Sequence, residues 1–322
     1  MILTSTVRLF CVPLVLASFV SSAPAKALTI NVEYLGEGDS FFLVRTLGTA
    51  EIDGITYGGG SLKTVMDQAV KVWESLILDP GTLNIRVGWK DLDNLRGPGT
   101  TPTTTGIAAQ FPSRDDFQDT NPLYDTYTGN IGDIAFDNDR PWFADATPLD
   151  HGEYSMFEKS LGDFGGGELV EGLEYTVPSG DAARGRDLFT TALHEIGHLL
   201  GFIQFSNEEN PMDNQINITS GPFKGSTFDL VDSESHFTNS VSGALMLASR
   251  NNSTRRLVSE ADLAVVAERS GFEELNWDVE AVQGAQNPDS PTPVPGPLPL
   301  ASLGLGLLAL VALKTRSPAP RS

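Results

Sequence analysis

Ser61 opens a run in which Leu62, Val65, Met66, Ala69, Val70 and Trp73 recur at three- and four-residue spacing. That is the period of one helical face, and the serine stands where a helix cap belongs. On either side the period changes to two. Leu28-Thr29-Ile30-Asn31-Val32 and Leu83-Asn84-Ile85-Arg86-Val87-Gly88-Trp89 alternate as half-buried strands do, and Phe41–Val44 adds a short apolar run. Strand, helix and strand are thus predicted before residue 90. From Arg96 to Asn130, glycine, proline and threonine clusters such as Gly97-Pro98-Gly99 and Thr103-Thr104-Thr105 predict mostly loop. Ile131–Phe136 predicts another strand, Trp142-Phe143 a short buried stretch, and helical spacing returns over Asp181–Leu200. Mixed strands followed by a long helix predict an α+β domain.

The two ends depart from this pattern. Residues 1–27 carry Arg8, the apolar stretch Leu9–Val20 and Ala25-Lys26-Ala27, a small-x-small cleavage signature. They read as a signal peptide, with the mature chain starting near Leu28. The apolar run is short for an uncleaved membrane anchor, and Leu9-Phe10 lacks the small residue that a lipoprotein signal places before its cysteine. Cleavage removes Cys11, the single cysteine, so disulfides and thiol catalysis are not expected. At the other end, residues 287–296 form a proline-rich linker. Residues 297–322 follow as a hydrophobic sorting or anchor segment, with Pro297–Leu313 apolar and Lys314 and Arg316 behind it. Pro293-Val294-Pro295-Gly296-Pro297-Leu298-Pro299-Leu300, an apolar segment and a basic tip resemble the PEP-CTERM sorting signal of Gram-negative bacteria. Gly296 stands where that signal usually has glutamate. The resemblance implies exosortase processing of the tail; the alternative reading is that the tail is simply a permanent anchor. It also implies a cell-surface or extracellular location.

Charge narrows the class of partner. All 42 acidic residues lie between 28 and 296, while Arg8, Lys26, Lys314, Arg316 and Arg321 lie outside that span, which leaves 16 basic residues beside the acids. Such a surface repels nucleic acid. Part of the acid content is a candidate for binding Ca2+, with Asp137-Asn138-Asp139 as the local site.

The chemistry is concentrated in Leu193-His194-Glu195-Ile196-Gly197-His198-Leu199-Leu200-Gly201-Phe202. Histidines four apart share one helical face, so both imidazoles reach one ion, and the intervening Glu195 is the general base expected of a metal-assisted hydrolase. Two of the four histidines in the chain fall in this motif, and Gly201 suits the left-handed turn that ends a helix. A catalytic Zn2+ needs a third protein ligand. Gly201 follows His198 as in the metzincin pattern His-Glu-x-x-His-x-x-Gly-x-x-His, but the last position is Gln204. His236 and His151 remain, with Glu208, Glu209 and Glu234 as alternatives. His151, in Asp150-His151-Gly152-Glu153, reads as an exposed loop histidine.

Gly201-Phe202 after the motif, His236 after an intervening segment, and then Met246 in Gly243-Ala244-Leu245-Met246-Leu247 resemble the leishmanolysin-like metzincins over roughly Arg184–Trp277. Leu247-Ala248 departs from the small-or-polar and proline residues that often follow the methionine. Leu257–Val266 corresponds to the family's downstream helix. The resemblance implies a zincin-like metalloprotease domain over residues 28–286, in which a mixed sheet and an active-site helix precede a smaller C-terminal subdomain. It implies His194, His198 and His236 as zinc ligands, Glu195 as general base, Met246 as the Met-turn residue, and protein or peptide substrates bound along an edge strand. Ile131–Phe136 is a candidate for that strand, and equally for an interior one. The competing reading is a non-catalytic exported surface or matrix protein whose metal only stabilises the fold.

Overall fold

The computed structural model describes residues 27–41, 49–51, 53–92, 107–110, 131–202, 214–231, 236–248 and 253–285. All of these belong to the compact unit that runs to Ala285. The segments read from the sequence as a signal peptide (but for Ala27), a proline-rich linker and a sorting tail lie outside the described residues, as do Gln204, Glu208, Glu209 and Glu234. Among the described residues no helix is long and apolar enough to cross a membrane.

The chain opens with strand β1 (Leu28–Tyr34), short strand β2 (Thr56–Tyr57), helix α1 (Leu62–Leu76) and strand β3 (Gly81–Lys90). Ser61 Oγ accepts from Thr64 N and caps α1, whose predicted apolar face is buried and is extended by Val72 and Leu76. Next come β4 (Ile107–Gln110), β5 (Ile131–Asp137) and β6 (Trp142–Phe143). β1, β3 and β5 pair in parallel, and β4 adds antiparallel to β5, in the order β1-β3-β5-β4. β4 lies in the segment predicted as loop, and its four residues are too few to carry a readable alternation. It makes β5 an interior strand, one of the two places open to Ile131–Phe136, and puts β4 at the edge of the sheet.

A long hairpin follows, β7 (Tyr154–Asp163) and β8 (Glu168–Pro178), turning where Asp163 Oδ1 accepts from Gly165 N and Gly167 N. β7 is largely exposed, which is why its sequence shows no apolar period. Then come β9 (Arg186–Asp187), helix α2 (Leu188–Leu199), β10 (Gln215–Asn217), β11 (Thr227–Val231), β12 (His236–Phe237), β13 (Arg255–Leu257), α3 (Glu260–Ser270) and α4 (Val279–Gln283). β13, β8 and β7 form one small sheet, and β10, β11 and β12 another.

The α+β class expected from the sequence is therefore present. The main apolar core draws on residues from Leu28 to Ala285, so the residues after α2 share the core of those before it. Gly172 permits one critical approach in that core: a Cβ there would lie 2.2 Å from the Ser242 carbonyl oxygen, on the loop that leads to Met246.

Candidate metal centre

Asp187, the last residue of β9, fixes where α2 begins. Its Oδ1 accepts from Phe189 N at 2.8 Å and Thr190 N at 3.2 Å, the N-cap geometry that satisfies otherwise orphaned donors. The helix therefore starts later than the Asp181 of the periodicity, because Arg186 and Asp187 are paired with Trp142 and Phe143 in an extended conformation. At the other end Gly201 has φ of +113°, and Ser270 Oγ donates to the Leu200 carbonyl at 2.5 Å. Trp73 of α1 donates its indole N–H to the Leu193 carbonyl at 3.0 Å. Both ends and the middle of α2 are thus tied to other elements, which is the rigid support that a metal site requires.

The structure brings His194, His198 and His236 together: one nitrogen from each ring lies within 4.8 Å of the others. The first two are buried on α2, and the third is partly buried on β12, in register with Val231 of β11. The rings of His194 and His236 are 5.1 Å apart and nearly parallel, while His198 stands edge-on to both. His194 Nδ1 faces the Leu245 carbonyl at 2.9 Å, and His198 Nδ1 faces the Phe202 carbonyl at 2.7 Å. A carbonyl can only accept, so each Nδ1 carries the proton and each Nε2 presents a lone pair. The Nε2 atoms of His194 and His236 are 3.1 Å apart, close to the roughly 3.3 Å between two nitrogens bound tetrahedrally to one zinc. Three imidazoles of this kind fit Zn2+ and leave one position of a tetrahedron open.

Glu195 follows His194 on the helix and is 5% exposed. Met246 is fully buried beneath α2, where a Cβ added at Gly197 would come within 3.0 Å of its Sδ. The loop that carries Met246 is joined to the His236 strand, since Phe237 N donates to the Met246 carbonyl at 2.9 Å.

His151 is not the exposed loop residue expected; it is 8% exposed and lies in a network behind the start of α2. Its Nε2–H donates to the Gln283 carbonyl at 2.9 Å, and its ring stacks on Tyr175. Its Nδ1 accepts from Arg255 Nη1 at 3.3 Å. Arg255 is fully buried between Asp187 (2.6 Å) and Asp145 (2.9 Å), and Tyr154 donates to Asp187 at 2.9 Å. No motif in the sequence marks this network, because its members are scattered between residues 145 and 283.

Burial, and then the Arg255 charge, lower the His151 pKa to about 4, against about 6.5 in an unfolded chain. Between those values the unfolded state binds the extra proton, so stability rises with pH across this window and is lost as pH falls through it. The loss is on the order of 3 kcal/mol. His151→Gln, which keeps one donor and one acceptor, is expected to narrow the drop in urea midpoint between pH 7 and pH 4.5. Equal drops in both proteins would refute this role.

A second acid cluster lies at the ends of β3 and β5, where carboxylate oxygens of Asp91, Asp137 and Asp139 approach within 4.8 Å. Asp137 is fully buried with Oδ1 lacking a hydrogen-bond partner, and burial followed by the charge of Asp139 raises its carboxyl pKa. Asn138 turns away and donates to Glu51 at 3.0 Å, so Asp91 takes the place that the tripeptide Asp137-Asn138-Asp139 assigned to the amide.

Compared with known families, residues 117–232 match the model of the matrixin peptidases. The match contains His194, Glu195 and His198 and stops short of His236. No curated protein and no solved structure is matched. The likeness to matrixins, together with three converging imidazoles, supports a zinc-dependent metalloprotease of metzincin type.

Proposed function

We propose that this chain is an exported zinc endopeptidase in which His194, His198 and His236 hold the metal and Glu195 is the general base. The observation that carries this reading is the convergence of a histidine from β12 on the two histidines of α2. Zinc held there would supply Lewis acidity to the attacking water and to the scissile carbonyl. Glu195 takes the proton from the attacking water and delivers it to the leaving nitrogen. The carbonyls of Leu245 and Phe202 keep two of the imidazoles in the tautomer that leaves Nε2 unprotonated. Met246 closes the floor of the site against α2 and serves as the Met-turn residue.

The peptide adds as a further strand to the outer edge of β4, the antiparallel border of the main sheet. The arrival of the third histidine from a separate strand favours the leishmanolysin-like arrangement over the contiguous matrixin motif. Residues 1–27 direct export, and the tail is a substrate for exosortase-type processing or an anchor, on the sequence pattern alone. Asp91, Asp137 and Asp139 form a hard-oxygen site suited to calcium. Calcium is expected to raise the melting temperature of the protein but not that of Asp137→Asn, and identical melts with and without calcium would contradict this.

Hydrolysis of an unfolded protein such as casein, abolished by a zinc chelator and restored by zinc, is the expected activity. A metal-dependent rise in melting temperature with no hydrolysis would favour a structural metal site instead.

A further inference from the structure

We infer that Asp262 is a positioning residue for the metal centre, its carboxylate holding the peptide groups that aim His194 and tie in the strand of His236. The inference rests on the reading of His194 as a zinc ligand. Asp262 is the third residue of α3 and fully buried. Its Oδ1 accepts from Met246 N at 2.9 Å. Its Oδ2 accepts from Leu245 N at 3.1 Å, Ser259 N at 2.9 Å and Ser259 Oγ at 2.6 Å. Ser259 Oγ in turn accepts from Asp262 N, completing a capping box. A carboxylate that only capped α3 would need the Ser259 partners alone, whereas this one also grips two successive amides of the loop opposite.

The Leu245 carbonyl meets a histidine ligand directly, and the Met246 carbonyl meets the strand that carries another. Leu245 accepts from His194 Nδ1–H, and Met246 accepts from the backbone of Phe237, next to His236. Any shift of the Leu245 peptide therefore turns the His194 ring, since the hydrogen bond behind a ligating imidazole sets its orientation and basicity. Burial, the largest influence, raises the Asp262 carboxyl pKa, and the four donors oppose it by favouring the carboxylate, so that one side chain inside the core organises both the helix start and the metal loop.

The test compares wild type, Asp262→Asn and Ser259→Ala by zinc affinity, measured against a chromophoric chelator, and by the visible spectrum of the Co2+-substituted proteins. Both variants are expected to melt at lower temperature, since both lose cap bonds. Only Asp262→Asn, whose amide NH2 would face N–H donors, is expected to bind zinc about 10- to 100-fold more weakly and to shift the Co2+ bands. Wild-type affinity and bands in Asp262→Asn would overturn the inference. If that variant does not fold, Asp262→Glu, with the same charge displaced by a methylene, is expected to weaken zinc binding, and unchanged binding there overturns the inference equally. Wild-type protein that binds neither metal would overturn the reading of the site itself.

Discussion

Glu195→Gln is expected to bind zinc with wild-type stoichiometry and to lose peptide hydrolysis by about 10²- to 10⁴-fold in kcat/KM. That is the range over which a positioned general base acts. Glutamine keeps the size of the side chain and its place on α2, so the buried packing around residue 195 is preserved while the proton acceptor is lost. The loss should fall on kcat more than on KM, because proton transfer belongs to the transition state and not to substrate binding. Retained hydrolysis would remove Glu195 from the role, and zinc loss in the variant would show that it supports the metal instead.

His236→Ala is the second large effect. Losing a third of the ligand set should weaken zinc binding by more than the 10- to 100-fold that loss of a mere supporting group costs. Hydrolysis should fall with it. Because His236 is only partly buried and Phe237 supplies the core contact of its strand, the fold of the variant is expected to persist, so far-ultraviolet circular dichroism should match wild type. Unchanged zinc affinity would exclude His236 and return the search to residues of the intervening segment, Glu234 among them.

The histidine pair was legible because an α-helix converts a spacing of four into adjacency. The flanking Leu193, Ile196, Leu199 and Leu200 signalled burial of the same helix, and all four are in the core. α1, β1 and β3 were legible for the same reason, each having one face in the core and one out of it. The convergence of His236 was not readable from spacing, since strands β10 and β11 lie between α2 and β12 in the chain. It was expected only through the likeness to leishmanolysin-like enzymes.

β4 was missed because four residues are too few to show a period, and the β7–β8 hairpin because its outer strand is mostly exposed. The start of α2 was placed too early because periodicity extends through residues that tertiary pairing holds extended. The buried network of Arg255, Asp145, Asp187 and His151 was invisible because polar residues in a core look, in sequence, like polar residues on a surface. Only the structure reveals that His151 is buried against Arg255, or that the Asp262 carboxylate grips the loop of Met246.

The central claim is that three imidazoles from two distant parts of the chain grip one zinc ion. Anomalous diffraction at the zinc edge from crystals of the zinc-loaded protein tests it directly. One peak is expected, about 2.0–2.1 Å from a nitrogen of each of His194, His198 and His236. A zinc peak bound without His236, or lying away from the two histidines of α2, would contradict it.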